Sequence, residues 1–179
     1  MSRPTKTEAW PVLIGTLVQV KQTLAQVDGG LWPYHYPEVK ASEQVIDETE
    51  RRLGLSLPPP YREFLLHANG WKGFFQTVDL LGCEELVAGS HRDRFDATYG
   101  ALREEGWRAI GLTRGSTLPF GVTLQDKDAF VFDLARKREG EFRIVWLAGE
   151  TVDEWASFTE FFKSMIEYNR REVRQFSQA

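Results

Sequence analysis

The chain has a single cysteine, Cys83, in 179 residues. No disulfide can close within it, so stability has to come from packing, and the composition fits a reducing compartment. The three histidines, His35, His67 and His91, lie far apart, without H-x-x-x-H or H-E-x-x-H spacing, and Cys83 has no CxxC partner. That removes the common metal-ligand patterns. There is no G-x-S-x-G, no G-x-x-x-x-G-K-[ST] and no G-x-G-x-x-G, so the sequence offers no nucleophile elbow, phosphate loop or dinucleotide fingerprint. No segment approaches the ~20 consecutive apolar residues of a membrane-spanning helix. The opening MSRPTKTEAWPVL has neither an unbroken apolar core nor a small-residue cleavage site. Excess positive charge is absent too: 22 Lys and Arg stand against 26 Asp and Glu, a net charge of −4, which argues against a nucleic-acid binder. Together these absences predict a cytoplasmic chain without cofactor, metal, membrane or nucleic-acid partner.

What is present is enough apolar material, 42% of residues, for a core in a length suited to one domain over 1–179. The most informative stretch runs from Ser42 to Trp71. Ser42 can cap a helix whose inner face holds Val45, Ile46, Thr49 and Leu53. Gly54 follows as a left-handed stop, with Leu55 placed to close its hydrophobic contact. Pro58, Pro59 and Pro60 bar helix through the turn and start the next one. Tyr61, Phe64, Leu65 and Ala68 give that second helix an apolar face, and Asn69-Gly70 ends it. Two such short helices cannot bury their faces alone and must dock on something.

Residues Glu50, Leu53, Gly54, Leu57, Pro58, Tyr61, Phe64, Leu65, Asn69 and Gly70 spell E-x-x-L-G-x-x-L-P-x-x-Y-x-x-F-L-x-x-x-N-G. This spelling resembles the signature of the Smi1/Knr4 family, the SUKH superfamily. The later Phe130-Val131-Phe132-Asp133 and Ser157-Phe158-Thr159-Glu160-Phe161-Phe162 resemble that family's strand and final helix. The resemblance covers residues 38–168. It leaves out an N-terminal helix and aromatic strap over 1–37 and a polar tail over 169–179.

Before the signature, the spacing of Trp10, Leu13, Ile14, Leu17, Leu24 and Val27 predicts an amphipathic helix over 7–27, with Lys6, Glu8, Gln22 and Gln26 off its apolar face. Asp28-Gly29-Gly30 ends it. Leu31 to Lys40 reads as a proline-rich strap whose Trp32, Tyr34 and Tyr36 either lie on the domain or form an exposed recognition patch. After Trp71 the periodicity shortens. One strand is expected over Phe74–Leu81 and further strands over Arg108–Leu112, Phe120–Leu124, Ala129–Leu134 and Glu141–Leu147, with a short helix between Ser90 and Glu105. Ser157 and Glu160 form a capping-box pattern for a last helix that frays after Tyr168. The order implies an α+β fold, an antiparallel sheet with helices packed on one side.

Candidate chemistry is sparse. Cys83 lies between Gly82 and Glu84, and the neighbouring carboxylates should raise its thiol rather than activate it. Asp126 and Asp128, at i and i+2 in a turn, either cap backbone N–H groups or touch a partner. Phe74 and Phe75 are adjacent on a strand, so one of them should leave the core and line a groove with Trp71 and Lys72. Trp71, Lys72, Phe74, Phe75, Asp126 and Asp128 are therefore the candidate partner-binding residues. The resemblance implies a non-enzymatic protein-binding domain. In a bacterium this would be an immunity protein neutralising a cognate polymorphic or contact-dependent toxin by docking; the alternative is a regulatory scaffold, as in fungi.

Overall fold

A computed structural model describes residues 9–178, and these form seven helices and one six-stranded sheet. In chain order the elements are α1 (Trp10–Val27), α2 (Glu43–Leu53), α3 (Pro59–Leu65), β1 (Trp71–Phe75), β2 (Val78–Leu80), α4 (Cys83–Val87), α5 (Ser90–Tyr99), α6 (Glu104–Ala109), β3 (Thr117–Val122), β4 (Asp128–Arg138), β5 (Glu141–Ala148), β6 (Thr151–Trp155) and α7 (Phe158–Phe176). The strands neighbour one another in sequence order, β1 to β6, every pair antiparallel. This is the expected α+β architecture. Turns alone join β1 to β2 and β3 through β6 in order, as antiparallel neighbours allow, while the β2–β3 connection carries three helices.

Alternation along the strands sorts the core into two faces. Phe120, Phe130 and Phe132 point to one face, where they meet Phe158 and Phe161 of α7. Tyr61 and Phe64 of α3 and Trp10 of α1 pack into the same aromatic layer. Val131 and Val145 point to the other face and are also fully buried. That face is covered by the segment between β2 and β3, where a short helix was expected between Ser90 and Glu105. It folds as α4, α5 and α6, with Tyr99 Oη donating to the Lys127 carbonyl at 2.5 Å and Arg143 Nη2 donating to the Gly111 carbonyl at 2.6 Å.

The signature residues earn their places by local physics. Ser42 Oγ accepts from the Val45 N–H, capping α2. Gly54 has φ +68, and Leu55 N–H reaches back to the Glu50 carbonyl, closing the helix end. The Glu50 carboxylate accepts from Leu57 N–H and from Arg62, both at 2.7 Å, and so fixes the α2–α3 turn. Tyr61 is wholly buried and its hydroxyl donates to the Leu81 carbonyl at 2.9 Å. Asn69 Oδ1 accepts from Cys83 N–H, tying the end of α3 to the start of α4. Gly70 has φ +98, and a Cβ there would stand 2.8 Å from the Gly82 nitrogen, so the chain crossing admits only glycine.

Several expectations are corrected. Phe74–Leu81 is not one strand: Gln76 and Thr77 turn it into the β1–β2 hairpin, with Gln76 at φ +52. Arg108–Leu112 ends α6 and turns into a loop, because Trp107 and Ile110 fall on a helical rather than an alternating pattern. β6 was not anticipated, and α7 continues eight residues beyond Tyr168 to Phe176, with Asn169 and Glu172 buried. The expected helix start at Thr7 and the off-face Lys6 and Glu8 lie outside the described residues.

Candidate functional site

β1 is an edge strand, and the strap closes it. Trp71 Nε1 donates to the His35 carbonyl at 2.9 Å, Glu38 N–H donates to the Gly70 carbonyl at 3.0 Å, and Ala41 N–H to Leu65 O at 2.9 Å. Gly73, at φ +57, lets Pro33 come so close that a Cβ would meet its carbonyl at 2.9 Å. The strap therefore lies on the domain, with Trp32 and Tyr34 half-buried, while Tyr36 and Val39 remain 62% and 85% exposed. Behind β1, Lys21 of α1 is buried and its ammonium donates to the carbonyls of Gly73 and Phe74, at 2.5 and 3.3 Å. Desolvation lowers its pKa to about 8, against the pull of Glu172 and Asp28.

Where the strap leaves β1, a groove of about 350 Å³ opens between it and α4. Glu38 and Val39 form one wall, Glu84 and Glu85 the other, and Trp71, Leu80 and Cys83 lie beneath. Lys72 projects over it and pairs with Glu38 at 3.7 Å. Three carboxylates against one ammonium make the groove acidic. Glu85 is held in place: one oxygen accepts from Gly82 N–H at 3.1 Å and the other lies 3.5 Å from His91 Nδ1. His91 Nε2 bonds Asp79 at 2.9 Å, joining α5 to β2. The hydrogen bond to Asp79 raises the His91 pKa, opposed by burial and aided by the charges of Asp79 and Glu85. The Cys83 thiol is raised as expected, but burial is the main cause and Glu84 a minor one.

The predicted site residues divide three ways. Trp71 and Lys72 do line a groove, Trp71 as its fully buried floor. Phe74 and Phe75 do not: both are buried, at 0% and 3% exposure, so neither leaves the core and neither can serve as an exposed anchor. The irregular register of the β1–β2 hairpin and positive φ at Gly73 and Gln76 interrupt strict alternation. Both rings then face α7, Phe74 against Phe161 and Phe162, Phe75 against Tyr168 and Trp146. Asp126 and Asp128 sit in the β3–β4 turn, away from the groove. Asp126 Oδ1 caps the Asp128 N–H at 2.8 Å, and Asp128 accepts from Trp146 Nε1 at 2.5 Å. Burial raises the Asp128 pKa. The turn does neighbour the β1–β2 hairpin, through the Thr77–Thr123 hydroxyl contact at 2.9 Å. The single surface expected to join Trp71 to Asp126 and Asp128 is thus broken by a buried Phe75.

Sequence reasoning missed Glu38, Val39, Glu84, Glu85 and His91. An apolar Val39 between charged residues in a strap was a usable signal for the first two. Nothing local links His91 to Asp79, which only the sheet brings together.

The arrangement offers a recess with acidic walls, an apolar rim and an aromatic floor. Comparison with known proteins agrees with the signature. The profile described as SMI1 / KNR4 family (SUKH-1) matches residues 40–164. The uncharacterized protein YnaB of Bacillus subtilis (strain 168) is 32% identical over 66 residues, which are 37% of this chain and 44% of that protein. The chain thus spans less than half the length of that relative. The chain belongs to the SMI1/KNR4 family.

Proposed function

We propose that this SMI1/KNR4-family chain is a protein-binding domain that acts without catalysis, as an immunity protein that neutralises a cognate bacterial toxin domain by docking on it. The observation that supports this reading is the acidic groove, with Glu38, Glu84 and Glu85 around an aromatic floor and the exposed Val39 at its rim. An apolar contact ringed by charge is the usual anatomy of a specific interface. The toxin surface is basic, and its docking occludes the toxin's own active site. The encounter takes place in the cytoplasm and depends on salt, because exposed carboxylates steer association more than they hold the complex.

The test is protection of cells that express the toxin domain encoded beside this chain. Glu84→Lys and Val39→Asp both lie on exposed groove positions and leave the core untouched. Each should stay folded, lose protection and weaken binding by about tenfold or more. Folded variants that protect and bind as the parent does would refute docking at this groove. Binding to host signalling proteins with no effect on toxicity would instead favour the regulatory-scaffold role.

A further inference from the structure

His91 lies in the first turn of α5, buried behind the groove wall. Each of its ring nitrogens faces a carboxylate, Nε2 the Asp79 Oδ2 at 2.9 Å and Nδ1 the Glu85 Oε1 at 3.5 Å. A carboxylate only accepts, and a neutral imidazole carries one N–H and one lone pair. The imidazolium alone suits both neighbours. Each carboxylate is also held by backbone: Asp79 Oδ1 accepts from Gly73 N–H at 2.6 Å, and Glu85 Oε2 from Gly82 N–H at 3.1 Å. A line of contacts thus runs from β1 through Asp79, His91 and Glu85 to the start of α4.

The two ends of that line are not equal. Both Asp79 contacts are shorter than both Glu85 contacts, and the Asp79 side chain is 23% exposed against 40% for Glu85. When the ring loses a proton, the shorter bond from Nε2 to Asp79 is kept. The Nδ1 lone pair then faces Glu85, an acceptor against an acceptor, and water on the groove side is the better partner for that carboxylate. The charges acting on the ring come from three elements. Asp79 of β2 and Glu85 of α4 favour the charged form, and Lys72 of β1 opposes it, as burial does. On α5 itself, Arg92 is turned to Asp96 at 3.6 Å and Arg94 donates to the Asp126 carbonyl at 2.8 Å.

We propose that His91 is a proton-operated latch on the groove: the charged ring holds Glu85 back against α5, and the neutral ring releases it into the groove. The groove then becomes more negative by the charge that the ring has lost. The consequence for docking rests on the function proposed above. A basic toxin surface binds the released form more tightly, so binding strengthens as pH rises through the His91 midpoint, and docking expels the ring proton.

The experiment is an NMR titration of the full isotope-labelled chain with no partner present, from about pH 5.5 to 9, which spans the ordinary range of histidine. The ring C–H signals of His91 give its midpoint, and the Gly82 amide reports its bond to Glu85. The midpoint should lie above the ordinary value of about 6.5, and the Gly82 amide should shift with the same midpoint. Glu85→Gln, which keeps an acceptor for Gly82 at a part-exposed position, should lower the midpoint by about half a pH unit, a threefold loss of proton affinity. In His91→Gln the Gly82 step should vanish. If that variant does not fold, Glu85→Gln decides alone. A midpoint at or below about 6.5, a Gly82 amide that ignores the ring, a Gly82 step that survives His91→Gln, or a midpoint unmoved by Glu85→Gln would overturn the latch. None of these outcomes depends on a toxin, whereas the docking reading is decided by the protection tests on Glu84 and Val39, so the two fail separately.

Discussion

β1 and β6 bound the same sheet and solve the same problem in opposite ways. β1 is covered. The strap takes hydrogen bonds from Trp71 and gives them to Gly70, Pro33 presses on Gly73, and Lys21 caps two of the strand's carbonyls from behind. β6 is left open and made acidic by Glu150, Asp153 and Glu154. Both devices keep an edge from pairing with the wrong strand, one by occupying its polar groups and one by carboxylates and an irregular register at Val152. They differ in what they allow. A covered edge fixes the shape of the groove beside it, while an open edge leaves its outer polar groups to water.

The largest expected effect breaks the covered edge. Trp71→Ala removes a wholly buried ring together with the hydrogen bond that holds the strap at His35. The cost should be about 3–5 kcal/mol, from lost transfer energy and the cavity left behind. Denaturant midpoints would measure it, and amide exchange should show Glu38 opening first. A loss below about 1 kcal/mol would mean the strap is not anchored by this residue.

The next effect is pH-dependent and also belongs to β1. Lys21 titrates near 10.5 when unfolded and at about 8 when folded. Folding therefore disfavours its charged form, and the cost is fully present below about pH 8. Between 8 and 10.5 the unfolded chain still holds a proton that the folded chain has released, so raising the pH removes the cost. Glu172 and Asp28 are the charged groups that act on it. Relative to Lys21→Met, the parent should gain stability of the order of 3 kcal/mol across that window. Tyrosine ionisation is common to both proteins and cancels in the difference. Parallel stability curves from pH 7 to 11 would show that Lys21 is not buried as described.

How much of this contrast could be read from sequence depends on the range of the interactions. The helix caps and stops were legible because they are local: Ser42, Gly54 and the Ser157–Glu160 cap each act within a few residues of themselves. The α+β order was legible because the apolar period changes after Trp71. Phe74 and Phe75 were misread because alternation assumes a regular strand, and the irregular hairpin broke it. β6 was missed because five residues with two carboxylates give too weak an apolar signal, which is the same property that keeps its edge open. Lys21 was missable but present: it falls at helical spacing between Leu17 and Leu24, on the buried face of α1. The groove itself was half legible. Trp71 and Lys72 come from the signature's end, but Glu38, Glu84 and Glu85 reach it only through the strap and the Asn69–Cys83 tie.

The smallest expected effect sharpens the comparison, because it is close to zero by construction. Val152 stands half-exposed on β6, bordered by strand on one side alone. Threonine keeps its β-branched shape and suits a strand, so Val152→Thr exchanges one exposed methyl for a hydroxyl that water can satisfy. Stability should shift by no more than about 0.5 kcal/mol in either direction. The matched change on the covered edge is Gly73→Ala, where an added Cβ would meet the Pro33 carbonyl at 2.9 Å with φ at +57. That one should cost more than about 1 kcal/mol, through clash and backbone strain together. Both numbers come from the same denaturant melts, so the difference between them measures how far one edge is covered and the other open. A Val152→Thr loss as large as that of Gly73→Ala would mean that some part of the chain packs over β6, and the contrast between the two edges would then fall.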